Sequence, residues 1–117
     1  MIPELDGKLD GISMRVPTPV VSVLDLVVTV EKPATKEEIN TAYKKAASSP
    51  GLSKYLQYCD EPLVSRDFIG NSKSCIFDSL STEVLDSSFA KVFGWYDNEW
   101  GYSNRVVDLV DFISSKK

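Results

Sequence analysis

Apolar positions recur every second residue in several short runs of this chain and at helical spacing in two others. Ile12, Met14 and Val16 alternate with Ser13 and Arg15, the period of a half-buried strand, and Pro17 and Pro19 interrupt it. The next run puts Leu24, Leu26, Val28 and Val30 on one face, with Asp25, Thr29 and Glu31 on the other. Pro33 breaks that run. Thr35-Lys36-Glu37-Glu38 then has the form of a capping box, in which a Thr and a Glu each satisfy a free backbone N–H at a helix start. In the helix that follows, Ile39, Ala42, Tyr43 and Ala46 share one stripe, and Pro50-Gly51 stops it. Further short strands are expected near 55–59, 64–68 and 74–77. Residues 82–85 and 89–96 should form a hairpin around Asp86-Ser87-Ser88, with Phe89, Phe93 and Trp95 on one face. From Gly101 onward Tyr102, Val106, Leu109, Val110 and Ile113 keep helical spacing, so the chain should end in an amphipathic helix.

Short connections between most of these strands require largely antiparallel pairing, and the helices should cover one sheet face. The expected fold is therefore an α+β layer with a mixed, largely antiparallel sheet, occupying residues 1–117 as one domain or part of one.

Composition narrows the class further. A chain of 117 residues can bury one core, and 43% hydrophobic with 26% charged residues argues against both disorder and a membrane-embedded chain. The longest apolar run, 20–30, is interrupted by Ser22, Asp25 and Thr29 and is too short to span a bilayer. Neither a secretory signal nor a prenylation box is evident, so a cytoplasmic location without membrane contact is expected. The formal charge of −4 argues against a basic nucleic-acid surface. Cys59 and Cys75 do not make a disulfide framework, and neither sits in a setting that clearly favours the thiolate, although Lys73 lies two residues before Cys75.

The densest chemistry lies in Trp95-Tyr96-Asp97-Asn98-Glu99-Trp100-Gly101-Tyr102-Ser103-Asn104-Arg105. Aromatic bodies there alternate with polar groups that must find partners. Asp97 could simply cap the following helix. Alternatively the aromatics form a wall beside Asn98, whose carboxamide offers both a donor and an acceptor. Residue types alone leave both readings open. The chain contains no histidine, so no unperturbed imidazole base is present, and its glycines have no phosphate-cradling spacing.

That segment resembles the C-terminal active-site segment of the phosphorylating glyceraldehyde-3-phosphate dehydrogenases. A second stretch agrees with it: Ile2-Pro3-Glu4-Leu5-Asp6-Gly7-Lys8-Leu9, then Arg15-Val16-Pro17-Thr18-Pro19 and Val21-Ser22-Val23-Leu24-Asp25-Leu26. Weaker similarity fills the interval, so the resemblance covers the whole chain. Enzymes of that family are much longer. They open with a dinucleotide-binding domain and carry their nucleophilic Cys, in a Ser-Cys-Thr-Thr-Asn context, and its His partner upstream of anything present here. Cys75 lies in Ser74-Cys75-Ile76-Phe77-Asp78, a different context.

The resemblance implies a partial catalytic domain with a mixed sheet and a last helix that packs into the cofactor domain. It assigns Arg15 to substrate or inorganic phosphate, a fitting role for a guanidinium that grips phosphate oxygens bidentately. It assigns Asn98 to the carboxamide of the nicotinamide of NAD or NADP, with Tyr96 and Tyr102 as supporting wall. Asp97, Glu99, Asn104 and Arg105 would cap the helix or join the interdomain contact, and Trp95 and Trp100 would be core. No catalytic residue and no metal ligand is assigned to this chain. The parent would oxidise glyceraldehyde 3-phosphate with phosphate to 1,3-bisphosphoglycerate as a homotetramer. By itself the chain is expected to be inactive and to bind no cofactor. Two alternatives are an erythrose-4-phosphate dehydrogenase, against which Pro19 and Tyr96 speak, and a non-catalytic interaction module from a truncated gene.

Overall fold

The computed structural model describes residues 2–116. Its centre is a four-stranded sheet in the order β1-β4-β3-β2, formed by β1 (Ser22–Thr29), β2 (Leu56–Cys59), β3 (Cys75–Leu85) and β4 (Phe89–Tyr96). The β1–β4 and β3–β4 pairs are antiparallel and β2 runs parallel to β3. Two α-helices complete the α+β fold, α1 (Lys36–Ala47) and the C-terminal α2 (Trp100–Ser114).

The start of α1 is set locally. The Thr35 backbone N–H donates to Glu38 Oε2 at 2.8 Å and the Glu38 N–H donates to Thr35 Oγ1 at 3.2 Å, the reciprocal capping box expected there. Its apolar stripe then meets the sheet through Tyr43, which stacks on Phe77 of β3 with ring centroids 3.9 Å apart. Phe77 faces Tyr58 on β2 and Gly94 on β4 across the ladders, and burying such a ring stabilises the fold by about 2 kcal/mol. A side chain at Gly94 would collide there, because a Cβ would lie 2.7 Å from Cys75 Sγ.

The opposite face is closed by the connection from β2 to β3. Phe68 from that connection stacks on Trp95 at 5.5 Å, and Val21, Cys59, Phe68 and Ile76 form a buried cluster with Val20, Leu63 and Trp95 against it. Residues 64–68 are therefore not the short strand expected there. Ser65–Phe68 is a 3-10 turn, because the Asp67 carboxylate turns back to accept the Val64 N–H at 2.8 Å and offers the backbone a local partner in place of a ladder.

Two other expectations change. The strands expected near 74–77 and at 82–85 are one long strand, β3, with a bulge between Asp78 and Glu83. Asp78 organises the bulge by accepting from the Leu80 and Ser81 N–H groups, the Ser81 hydroxyl and Trp95 Nε1. Carbonyls released by the bulge are taken up from α1: Asn40 Nδ2 donates to Ser79 O and Lys36 Nζ donates to Leu80 O. Residues 12–16 form no strand, and Ile12 is 88% exposed. An alternating strand needs a neighbour for its backbone groups, and among the described residues none lies beside this segment.

The hairpin lies where expected. Within its turn Asp86 and Ser87 both have positive φ, 49° and 57°, and the Ser88 N–H donates to Leu85 O at 3.2 Å. That backbone suits Asn-Gly better than Asp-Ser. Ser87→Gly should therefore stabilise the chain by about 0.5–1 kcal/mol, read as a higher urea midpoint at unchanged slope. A lower midpoint would contradict the turn geometry.

Candidate functional site

The junction between β4 and α2 is built around Asp97, which is only 3% exposed. Its carboxylate accepts the Trp100 N–H at 2.8 Å, the Gly70 N–H at 2.8 Å and the Glu99 N–H at 3.0 Å. Hydrogen bonds from Trp100 and then Gly70 hold its pKa below the ordinary Asp value, against the opposing effect of burial. Asp97 thus caps α2, as one sequence reading allowed, and also ties the helix start to the connection that carries Phe68. Gly70 makes that tie with φ of 78°, a conformation costly for residues with a side chain.

Asn98 follows immediately and is exposed. Its Oδ1 accepts from Ser22 Oγ at 3.5 Å, while among the described residues Nδ2 has no partner. Tyr96 and Tyr102 flank it in sequence, both exposed. Ser22 begins β1 opposite Tyr96, and the preceding Val21 is buried with φ of 74°. A β-branched residue in the left-handed region is a backbone outlier costing about 1–3 kcal/mol.

Arg15 lies in the exposed segment seven residues before Ser22 and makes no hydrogen bond or ion pair among the described residues. Among the described residues no hydrogen bond joins Arg15 to Asn98. Trp95, expected in the core, is half-buried against the core cluster, whereas Trp100 is 52% exposed and is not core in this structure, since among the described residues no strand or helix packs closely on α2. Arg105 points back into the domain: it donates to Ser72 O, Ser74 Oγ and Asp108 Oδ2, with its guanidinium 4.8 Å from the Tyr55 ring. Lys54 also pairs with Asp108 at 2.7 Å, and this bond is the main reason the Asp108 pKa lies below the ordinary value. Asn104 only returns a hydrogen bond to Trp100 O.

Both cysteines are free. Burial pushes the Cys75 thiol up, which disfavours the thiolate a nucleophile needs. Among the described residues no group of three or more His, Cys, Asp or Glu side chains could hold a metal ion, and no helix is long and apolar enough to cross a membrane. Sequence reasoning missed Val21, Ser22 and Gly70. Only the Val-Ser-Val start of β1 hinted at Ser22, and nothing local marks Val21 for positive φ.

Residues 1–98 match the family model described as glyceraldehyde 3-phosphate dehydrogenase, C-terminal domain. The chain belongs to the glyceraldehyde-3-phosphate dehydrogenase family. The glyceraldehyde-3-phosphate dehydrogenase of Geobacillus stearothermophilus is 56% identical over 116 residues, covering 99% of this chain and 34% of that protein. Glyceraldehyde-3-phosphate dehydrogenase 2 of Streptomyces avermitilis is 53% identical over the same shares, as is glyceraldehyde-3-phosphate dehydrogenase 1 of Bacillus subtilis. The chain thus spans about a third of the length of these relatives, and their similarity extends over α2, beyond the part matched by the family model.

Proposed function

We propose that this chain is the C-terminal part of the catalytic domain of a phosphorylating glyceraldehyde-3-phosphate dehydrogenase. In that reading it supplies Arg15 as a phosphate grip and Asn98 as the anchor of a nicotinamide carboxamide. The observation that carries the reading is Asn98. Its Oδ1 accepts from Ser22, its Nδ2 has no partner among the described residues, and it stands on a junction tied by Asp97, with exposed Tyr96 and Tyr102 close by in sequence. These residues fit a nicotinamide: an unpaired amide N–H complements a carboxamide oxygen, and the aromatics suit a flat ring.

A bound NAD or NADP would supply the hydride acceptor. Asn98 would orient the ring by donating from Nδ2, which matters because hydride transfer needs close, aligned approach. Arg15 would hold the phosphate of glyceraldehyde 3-phosphate or the inorganic phosphate that yields 1,3-bisphosphoglycerate. The nucleophile and base would come from residues upstream, so the chain alone turns over no substrate and is not expected to retain cofactor. Exposed apolar residues on the sheet (Val23, Leu24 and Val27) and along α2 (Val107, Leu109, Val110 and Phe112) support assembly with an upstream cofactor domain and with further copies in a tetramer.

The test is a chimera joining residues 1–117 to the upstream two thirds of the Geobacillus relative. Asn98→Ala in that chimera should weaken cofactor binding and hydride transfer by about 1–3 kcal/mol together, without changing the melting temperature. Unchanged cofactor affinity and turnover would return Asn98 to a purely structural role.

A further inference from the structure

The strained entry to β1 has no explanation in the packing of the sheet alone. Val21 is held at φ 74° although it is β-branched, and it is buried in the cluster with Cys59, Phe68 and Ile76. Backbone strain of this kind persists only where the surroundings over-determine it, and it clusters at functional sites. The neighbour is Ser22. It is half-buried, it begins the ladder opposite Tyr96, and its hydroxyl reaches Asn98 Oδ1 at 3.5 Å across 76 residues of chain.

We infer that Ser22 is a positioning residue for Asn98, resting on the nicotinamide reading of that carboxamide. An exposed Asn side chain is free to sample several rotamers. The Ser22 hydroxyl, 3.5 Å from the carboxamide, favours the one that keeps it at the junction of β1 and α2. Two anchors define the geometry from opposite sides. Val21 fixes the backbone under Ser22, and Asp97 fixes the backbone under Asn98 through three N–H groups. The device contributes to affinity by pre-ordering the ligand-facing group before binding, not by touching the ligand.

The experiment is a double-mutant cycle in the same chimera, with NAD affinity read by calorimetry. Ser22→Ala should weaken NAD binding by about three- to ten-fold, the range expected for one hydrogen bond. Ser22→Thr, which keeps the hydroxyl, should restore most of it. In an Asn98→Ala background Ser22→Ala should have no further effect, because its influence passes through the carboxamide. A purely structural Ser22 would give the same loss in both backgrounds, and that result, or full affinity in Ser22→Ala, overturns the inference. If Asn98→Ala itself leaves affinity unchanged, or the chimera with unaltered 1–117 binds no NAD, the functional reading fails instead.

Discussion

Asp97→Ala is expected to lower the unfolding free energy of the chain by about 3 kcal/mol, because it strands backbone N–H groups that are buried around the lost carboxylate. Trp100, Gly70 and Glu99 all donate to this one side chain, and water has little access to replace it. The effect has a pH signature with a definite sign. The folded pKa is depressed, so the carboxylate's contribution is fully present above the ordinary Asp value of about 4 and is lost as pH falls through the folded value. The difference in urea midpoint between the unaltered chain and Asp97→Asn should accordingly be largest near neutrality and shrink below about pH 4. A gap that stays constant from neutral to acid pH would show that charge on Asp97 is not what holds the junction. Hydrogen exchange at the Gly70 and Trp100 amides offers a second check, since both should speed up in Asp97→Ala while the α1 amides stay protected.

Arg15→Leu should produce the largest loss of function in the chimera. Arg15 is exposed and engages no acid among the described residues, so its charge is uncommitted in the fold. Removing a charged grip on phosphate costs about 2–4 kcal/mol in the transition state, a drop of roughly thirty- to several-hundred-fold in kcat/KM for phosphate or phosphorylated substrate. Stability should not move, because the side chain is exposed and holds no hydrogen bond or ion pair among the described residues. Arg15→Lys should fall between, keeping the charge and losing the planar fork. Titrating phosphate and NAD separately distinguishes this change from Asn98→Ala, which should act on the cofactor. Phosphate dependence that is the same in Arg15→Leu as in the parent would remove Arg15 from the site.

The features legible from sequence were those whose causes are local. Thr35 and Glu38 satisfy each other within one helical turn, so the capping box declared the start of α1. Asp86-Ser87-Ser88 lies between two apolar runs and could only be a turn, and the two-residue period put Phe89, Phe93 and Trp95 on one face of β4. The helical spacing after Gly101 identified α2. The motif around Asn98 is equally readable as a string of residues, and the family resemblance rests on it.

What the tertiary structure decided depends on groups far apart in the chain. Strands were expected at both 12–16 and 64–68, yet the first pairs with no described strand and the second is a 3-10 turn held by Asp67. A strand is defined by its neighbour as much as by its own residues. The bulge in β3 emerges only once Asp78 meets Ser81 and Trp95 and α1 answers the freed carbonyls. Exposure of Trp100, the positive φ of Val21 and the meeting of Ser22 with Asn98 are likewise invisible to periodicity. Side-chain patterns report which face an element will bury, whereas backbone strain and hydrogen bonds across many residues arise when those faces pack, and packing is a property of the whole chain.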